Sequence, residues 1–161
     1  MITGIPGSNY IFIILLTIQT SFSFLIYEGR RWNVFVQNTL FTLLIVPTSF
    51  GGPSFNALAK LNFIIAPFFC DIIFNSFYGA FKKRNKLLWW ALISTVGFWV
   101  LTPFIGTLLI KPLTYPPEYV AKLIEVILLL LPLIIIESIA GGYLGHKIYV
   151  RIKKDALINC S

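Results

Sequence analysis

The chain of 161 residues is rich in apolar residues and poor in charge, because 57 % of its residues are hydrophobic and only 12 % are charged. An ordinary soluble domain carries about 25 % charged residues, and a chain of this length cannot bury so much apolar surface in one aqueous core. The net charge of +7 comes from short Lys and Arg clusters at the ends of apolar runs. This arrangement is typical of membrane topology signals and argues against binding to nucleic acid.

Five apolar runs each approach the roughly 20 residues that a helix needs to cross the hydrocarbon core of a bilayer. Residues 1–9 carry no positive charge, so we expect the first run to be a retained helix and not a cleaved signal peptide. The segment 51–54 (Gly-Gly-Pro-Ser) separates the second run from the third, and the proline-rich segment 111–117 separates the fourth from the fifth. The sequence therefore predicts an all-α membrane bundle in a single domain, with helices over residues 9–27, 32–50, 57–81, 87–110 and 119–147.

The basic residues are distributed unequally between the two sides of this five-helix arrangement. Ten of them fall on one side: Arg30, Arg31, Lys82, Lys83, Arg84, Lys86, Lys147, Arg151, Lys153 and Lys154. Only Lys60, Lys111 and Lys122 lie on or toward the other side. Because cytoplasmic loops carry an excess of Lys and Arg, we expect the N-terminus outside, the C-terminus in the cytoplasm, and a multi-pass protein of the cell (plasma) membrane.

Two carboxylates are predicted to lie at one depth inside the membrane. Asp71 is 11 residues from Lys82, and Glu137 is 10 residues from Lys147, which places both roughly 15 Å from the cytoplasmic boundary at 1.5 Å per residue. Asn75 follows Asp71 by one helical turn and lies on the same face. Charged groups at membrane depth are costly and often mark binding sites. Asp71, Asn75 and Glu137 are therefore predicted to bind a small solute, the alternative being that they only hold helices together.

Two further sets of residues are predicted to be structural. Lys60 and Glu125 each lie 22 residues from the cytoplasmic end of their helices, so we expect an ion pair between the third and fifth helices. Four small residues follow the small-xxx-small spacing that lets membrane helices approach closely. These are Ser138, Gly141, Gly142 and Gly145. They predict a helix-packing seam on the fifth helix.

The sequence lacks the patterns that are typical of catalysis or cofactor binding. It contains one histidine and two cysteines, and it has no HExxH motif, no Cys/His cluster and no Gly-rich phosphate loop. We therefore expect no catalytic residue, no metal, no cofactor and a protein that is not an enzyme. Because its loops are too short to form soluble domains, we expect it to act with other membrane subunits.

The stretch 137–149 (ESIAGGYLGHKIY) resembles the last helix and tail of the substrate-binding (S) components of energy-coupling factor vitamin transporters. The stretch 66–71 (APFFCD) is similar to a helix with Pro and Asp that those proteins often carry. This resemblance implies the capture of a vitamin-like solute from outside. Uptake would then be powered by a separate scaffold subunit and cytoplasmic ATPases.

A second resemblance points to a different role. Asp71, the basic loop 82–86, the fourth run and the segment 111–119 are similar to part of the A subunit of membrane methane and ammonia monooxygenases. This resemblance implies a non-catalytic accessory or structural subunit within a larger membrane enzyme complex. Small-solute binding and uptake in a multi-subunit transporter is the leading expectation, and the accessory subunit is the alternative.

Overall fold

The computed structural model describes residues 13–48, 55–113 and 115–158. In these ranges every regular element is helical, and the chain forms a bundle of five main helices. They are α1 (Ile14–Ile26), α2 (Asn33–Ile45), α3 (Asn62–Lys83), α4 (Leu87–Ile105) and α5 (Pro117–Ile158). A short helical turn, Ala57–Lys60, precedes α3, while α4 continues through a π-helical turn, Gly106–Ile110, and a 3-10 turn, Lys111–Leu113. The expected all-α bundle is thus confirmed for the described residues.

Three helical segments are long and apolar enough to cross a membrane: Asn62–Lys83, Leu87–Leu113 and Pro117–Asp155. α1 and α2 contain 13 residues each, so each is about 20 Å long at 1.5 Å per residue. This is less than the hydrocarbon thickness of about 30 Å. The predicted helices over 9–27 and 32–50 also include residues 9–12 and 49–50, which lie outside the described residues.

α5 is longer than the sequence analysis expects. The helix predicted to end near Lys147 continues to Ile158. No Gly or Pro follows Gly145 in this stretch, so nothing in the local sequence breaks the helix. Tyr149 is buried against the rest of the bundle, and this packing stabilises the added turns.

An aromatic cluster forms the centre of the bundle. Phe24 of α1 is completely buried, and its ring lies edge-on to Phe74, Trp90 and Phe98, with ring centroids 6.1, 5.8 and 6.2 Å away. The indole N–H of Trp90 donates to the carbonyl of Phe74 at 3.0 Å. Edge-to-face rings contribute stability beyond their buried area, so this cluster fixes α1 against α3 and α4.

The connection between α1 and α2 follows the surface of α3. Gly29, with a left-handed φ of 76°, lies so close to Tyr78 that an added β-carbon would stand 2.7 Å from its side chain. Farther along, the amide of Asn75 donates to the carbonyl of Arg30 at 3.2 Å. Tyr78 lies about one helical turn from Lys82 along α3, and Asn75 lies about one turn farther. The connection therefore runs along α3 into the bundle, and α2 begins well inside it.

Candidate functional site

Asp71 binds the N-terminus of α2. Its Oδ2 atom accepts a hydrogen bond from the backbone N–H of Phe35 at 3.0 Å, and the carboxylate also faces the N–H groups of Trp32 and Val34. These N–H groups lie at the N-cap residue of α2, Trp32, and in its first turn, where they have no partner within the helix. A negative charge at this end also complements the helix dipole. Asp71 therefore caps α2 from a neighbouring helix.

Asn75 supports this cap. Its side-chain amide donates to Oδ1 of Asp71 and to the carbonyl of Arg30. Asp71 and Asn75 are both buried, as their predicted positions on one face of α3 require. The pair thus joins the α1–α2 connection and the start of α2 to a single face of α3.

Lys60 binds the opposite end of α2. The side chain is fully buried, and its ammonium donates to the carbonyls of Ile45, Val46 and Thr48 at 2.8, 2.7 and 2.6 Å. Three acceptors therefore match the three N–H donors of a lysine. A positive charge at a helix C-terminus also complements the dipole.

The expected ion pair between Lys60 and Glu125 is not formed. The donors of Lys60 are all directed to α2, and Glu125 is exposed on α5. The carbonyls at the end of α2 need a donor that the helix itself cannot supply. They therefore bind the buried ammonium of Lys60 in place of the Glu125 carboxylate.

Glu137 binds the start of α1. Its Oε2 atom accepts a hydrogen bond from the backbone N–H of Ile13 at 2.9 Å, directly before the first residue of α1. The hydroxyl of Thr17 donates to the backbone carbonyl of Glu137 at 3.1 Å. Asp71 and Glu137 therefore bind the N-termini of two different helices, and among the described residues no hydrogen bond joins their carboxylates.

The small residues of α5 lie at its contact with α1 and α4. A β-carbon on Gly141 would overlap the hydroxyl of Thr17, and one on Gly145 would stand 2.7 Å from Cβ of Ser21. Gly142 faces Leu92 of α4 in the same way, at 3.0 Å. Ser138 lies beside them and is fully buried.

Hydrogen bonds strengthen this seam. Ser21 of α1 donates to the carbonyl of Gly142 at 3.0 Å, in addition to the bond from Thr17 to α5. Small residues such as glycine let two helix backbones approach closely, so the short side chain of Ser21 reaches the backbone of α5 here. α1 and α5 therefore run parallel in close contact.

Glu28 is an important residue that the sequence analysis did not single out. Its carboxylate accepts from the ammonium groups of Lys82 and Lys153, at 3.3 and 3.5 Å, and from the hydroxyl of Tyr149 at 3.3 Å. Burial raises the pKa of the Glu28 carboxyl, but the hydrogen bonds and charges of the two lysines outweigh this effect, so its pKa lies below the ordinary value. In the sequence, the feature that could have identified Glu28 is its position as an acidic residue beside Arg30 and Arg31 in an otherwise basic connection.

These contacts bring the ends of α1, α3 and α5 together at one end of the bundle, which we call the basic end. It contains Glu28 from the α1–α2 connection, Lys82 from the last turn of α3 and Lys153 from the last turns of α5. Lys82 and Lys153, which belong to two of the basic clusters that the sequence places on one side of the membrane, thus lie at the same end of the structure.

A small cavity with both polar and apolar lining residues lies between α1, α2, α3 and α4. Its volume is about 20 Å³, which is room for one water molecule. The polar side chains that line it are Gln19, Thr20, Ser23, Gln37 and Asn38. The indole of Trp99 donates to the hydroxyl of Thr20 at 3.3 Å, whereas Oε1 of Gln37 is buried with no hydrogen-bond partner among the described residues. The cavity therefore offers uncharged donors and acceptors.

Within the described part of the chain, no group of three or more His, Cys, Asp and Glu side chains is placed to hold a metal ion. No protein-family model, curated protein or solved structure matches the chain. The contacts of its own side chains therefore define the candidate site, which consists of Asp71, Asn75, Lys60 and Glu137 at the ends of two short helices.

Proposed function

We propose that this chain is a non-catalytic, multi-pass subunit of a larger protein complex in the cell membrane, with its N-terminus outside and its basic end in the cytoplasm. The observation that carries the proposal is that Asp71, Lys60 and Glu137 all bind the ends of neighbouring helices. A group that binds a solute needs free donors or acceptors, whereas Lys60 uses all three of its donors and both oxygens of Asp71 accept hydrogen bonds from the protein. Glu137 uses one of its oxygens for the N–H of Ile13. Their role in this proposal is to hold two short helices in the bundle.

The outer surface of the bundle supports a role in assembly. Leu44 of α2 is 75 % exposed, and Leu129 and Ile136 of α5 are 80 % and 64 % exposed. Such apolar surface must be covered by lipid or by the helices of other proteins. In this proposal part of it contacts lipid and part contacts other subunits.

A second candidate function is the binding of a small solute in a multi-subunit transporter. The observation that favours it is the cavity beside Gln37, whose Oε1 atom has no partner among the described residues. This cavity lacks charged lining residues and has room for about one water molecule, so the solute would be uncharged and the helices would have to separate to admit it. The site would then be distinct from Asp71 and Glu137.

One experiment separates the two functions. The wild-type protein, the double variant Asp71→Asn/Glu137→Gln and the variant Gln37→Leu are each purified from their own membranes under mild conditions. Native mass spectrometry measures bound subunits and bound small molecules, and thermal unfolding measures stability. Glu125→Gln is the control for the loss of a carboxylate at an exposed position, because Glu125 is exposed on α5.

For an assembly subunit, we expect a stoichiometric complex with other membrane proteins and no bound solute. The double variant should then lose stability and partner proteins together, while Gln37→Leu and Glu125→Gln retain both. A bound small molecule that is lost in Gln37→Leu, with unchanged stability, would reject the assembly proposal and favour the transporter. A wild-type protein that is purified alone would also reject it.

A further inference from the structure

The last turns of α5 carry three cations on one outward-facing stripe. Lys147, Arg151 and Lys154 follow one another at spacings of four and three residues and are all exposed, so they share one face of the helix. Tyr149 and Lys153, which contact Glu28, lie on the opposite face. We call Lys147, Arg151 and Lys154 the α5 basic stripe.

Among the described residues, no carboxylate forms an ion pair with the α5 basic stripe. The ion pairs of the described residues are Lys82–Glu28 and Lys153–Glu28, and neither includes a member of the stripe. Asp155, the one carboxylate on this part of α5, is exposed and forms no ion pair within the described residues. The stripe therefore has three charged donors that are available to an anion.

The stripe also continues an apolar face. Leu129, Ile136 and Tyr143 are exposed on the same side of α5, and with the three cations they fall within a sector of roughly 80° at 3.6 residues per turn. An apolar helix face that ends in an aromatic residue and then in cations is typical of a helix leaving the bilayer. The cations are thus placed at the level of the lipid headgroups, beside the acyl chains that the apolar face contacts.

We propose that the α5 basic stripe binds the phosphate of an anionic phospholipid. Arg151 offers a planar pair of donors that fits two phosphate oxygens, and Lys147 and Lys154 add point charges one turn away on either side. The acyl chains of the same lipid lie along Ile136 and Tyr143. A zwitterionic lipid offers the same phosphate but adds a cation that the stripe repels.

The test uses the purified full-length protein in detergent with an equimolar mixture of phosphatidylglycerol and phosphatidylcholine that carry identical acyl chains. Native mass spectrometry measures how much of each lipid is retained. The variant Lys147→Gln/Arg151→Gln/Lys154→Gln removes the stripe. The variant Lys83→Gln/Arg84→Gln/Lys86→Gln removes the same charge from the exposed α3–α4 connection at the same end.

We expect the wild-type protein to retain phosphatidylglycerol preferentially, and each cation of the stripe to contribute about fivefold to this preference. The stripe variant should therefore lose it by roughly a hundredfold, while the charge-matched control changes it much less. Equal losses in the two variants would show that total charge alone attracts the lipid, and would overturn the proposal. No preference in the wild-type protein would also overturn it.

A competition arm distinguishes a lipid from a free phosphate. Inorganic phosphate is added to the complex with phosphatidylglycerol at increasing concentration. We expect the lipid to remain bound at millimolar phosphate, because its acyl chains contribute to binding. Release of the lipid by an equimolar amount of phosphate would instead assign the stripe to a soluble anion, against the proposal. Unchanged helical circular dichroism in both variants shows that the fold is intact.

Discussion

Lys60 and Asp71 bind opposite ends of the same helix. The ammonium of Lys60 binds the carbonyls at the C-terminus of α2, and the carboxylate of Asp71 binds the N–H groups at its N-terminus. Lys60 and Asp71 are 11 positions apart in the sequence, which spans roughly 16 Å as helix, and the 13 residues of α2 span about 20 Å. Both charges also oppose the partial charge at the helix end that they contact. α2 is therefore held at both ends by one segment of the chain.

The first prediction concerns Lys60. Lys60→Met keeps most of the apolar stem but leaves the carbonyls of Ile45, Val46 and Thr48 without their shared donor. We expect the free energy of unfolding to fall by about 3 kcal/mol, since buried acceptors that lose a charged donor are costly. Titration of the purified protein with SDS measures this loss.

Lys122→Met is the control for this variant, because Lys122 is exposed on α5. It should change the free energy of unfolding by no more than about 0.5 kcal/mol. Equal effects of the two substitutions would contradict the assignment of Lys60 as the cap of α2. A large loss of free energy of unfolding in Glu125→Gln would instead support the predicted ion pair between Lys60 and Glu125.

The second prediction concerns the coupling of the two ends of α2. Sites more than about 10 Å apart usually contribute additively to stability. Lys60 and Asp71 should not contribute additively, because a substitution of either residue releases the same helix, α2. We expect Lys60→Met/Asp71→Asn to cost less than the sum of the single variants, by at least about 0.5 kcal/mol. Additive losses in the double-mutant cycle would show that each end of α2 is held independently.

The sequence allowed the polar residues inside the apolar runs to be found, but not their partners. Counting residues from the basic end gives the depth of Asp71, Glu137 and Lys60, and each of them has a specific polar role in the structure. The count assumes, however, that every helix crosses the membrane without interruption. α2 begins well inside the bundle, because the preceding connection follows α3 past Tyr78 and Asn75. Helix ends at that depth need caps, and the carboxylates supply them.

Depth also does not determine which way a side chain points. Lys60 and Glu125 lie equally far along the sequence from the basic end, but Lys60 points to α2 while Glu125 is exposed. By contrast, the spacing of Gly141 and Gly145 is a local signal. Two glycines four residues apart share one face of any helix, so their position at a helix contact followed from the sequence without knowledge of the neighbouring helix.

The third prediction tests the contact between α1 and α5. Gly141→Ala places a methyl group on the hydroxyl of Thr17 and should separate the two helices. We expect a loss of about 1 to 3 kcal/mol, as is usual for overpacked contacts. The matched control is Gly79→Ala on α3, where a β-carbon meets no atom within 4 Å.

Alanine is the better helix former at an open site, so Gly79→Ala should leave stability unchanged or raise it by up to about 1 kcal/mol. Thermal unfolding in one detergent measures both variants. If Gly141→Ala is as stable as Gly79→Ala, then α1 and α5 do not pack through this glycine.

The fourth prediction concerns pH. The pKa of Glu28 is lowered from its ordinary value of 4.5 in the folded protein, because Lys82 and Lys153 together outweigh the effect of burial. A carboxyl whose pKa is lowered by folding contributes stability above its unfolded pKa, and this contribution disappears as the pH falls through the folded pKa. We therefore expect the Glu28 contribution to be complete at neutral pH and to be lost progressively below about pH 4.5.

Glu28→Gln should remove this part of the pH dependence. Because the Glu28 side chain is 42 % exposed, solvent screens its ion pairs, and exposed pairs contribute at most about 1 kcal/mol. The Tm difference between wild type and Glu28→Gln, measured from neutral pH down to about pH 3, should be small but should vanish at the acidic end. Glu118→Gln serves as the control, since Glu118 is exposed in the first turn of α5. A Tm difference that stays constant with pH would mean that Glu28 acts through packing, and that charge does not join α1, α3 and α5 at the basic end.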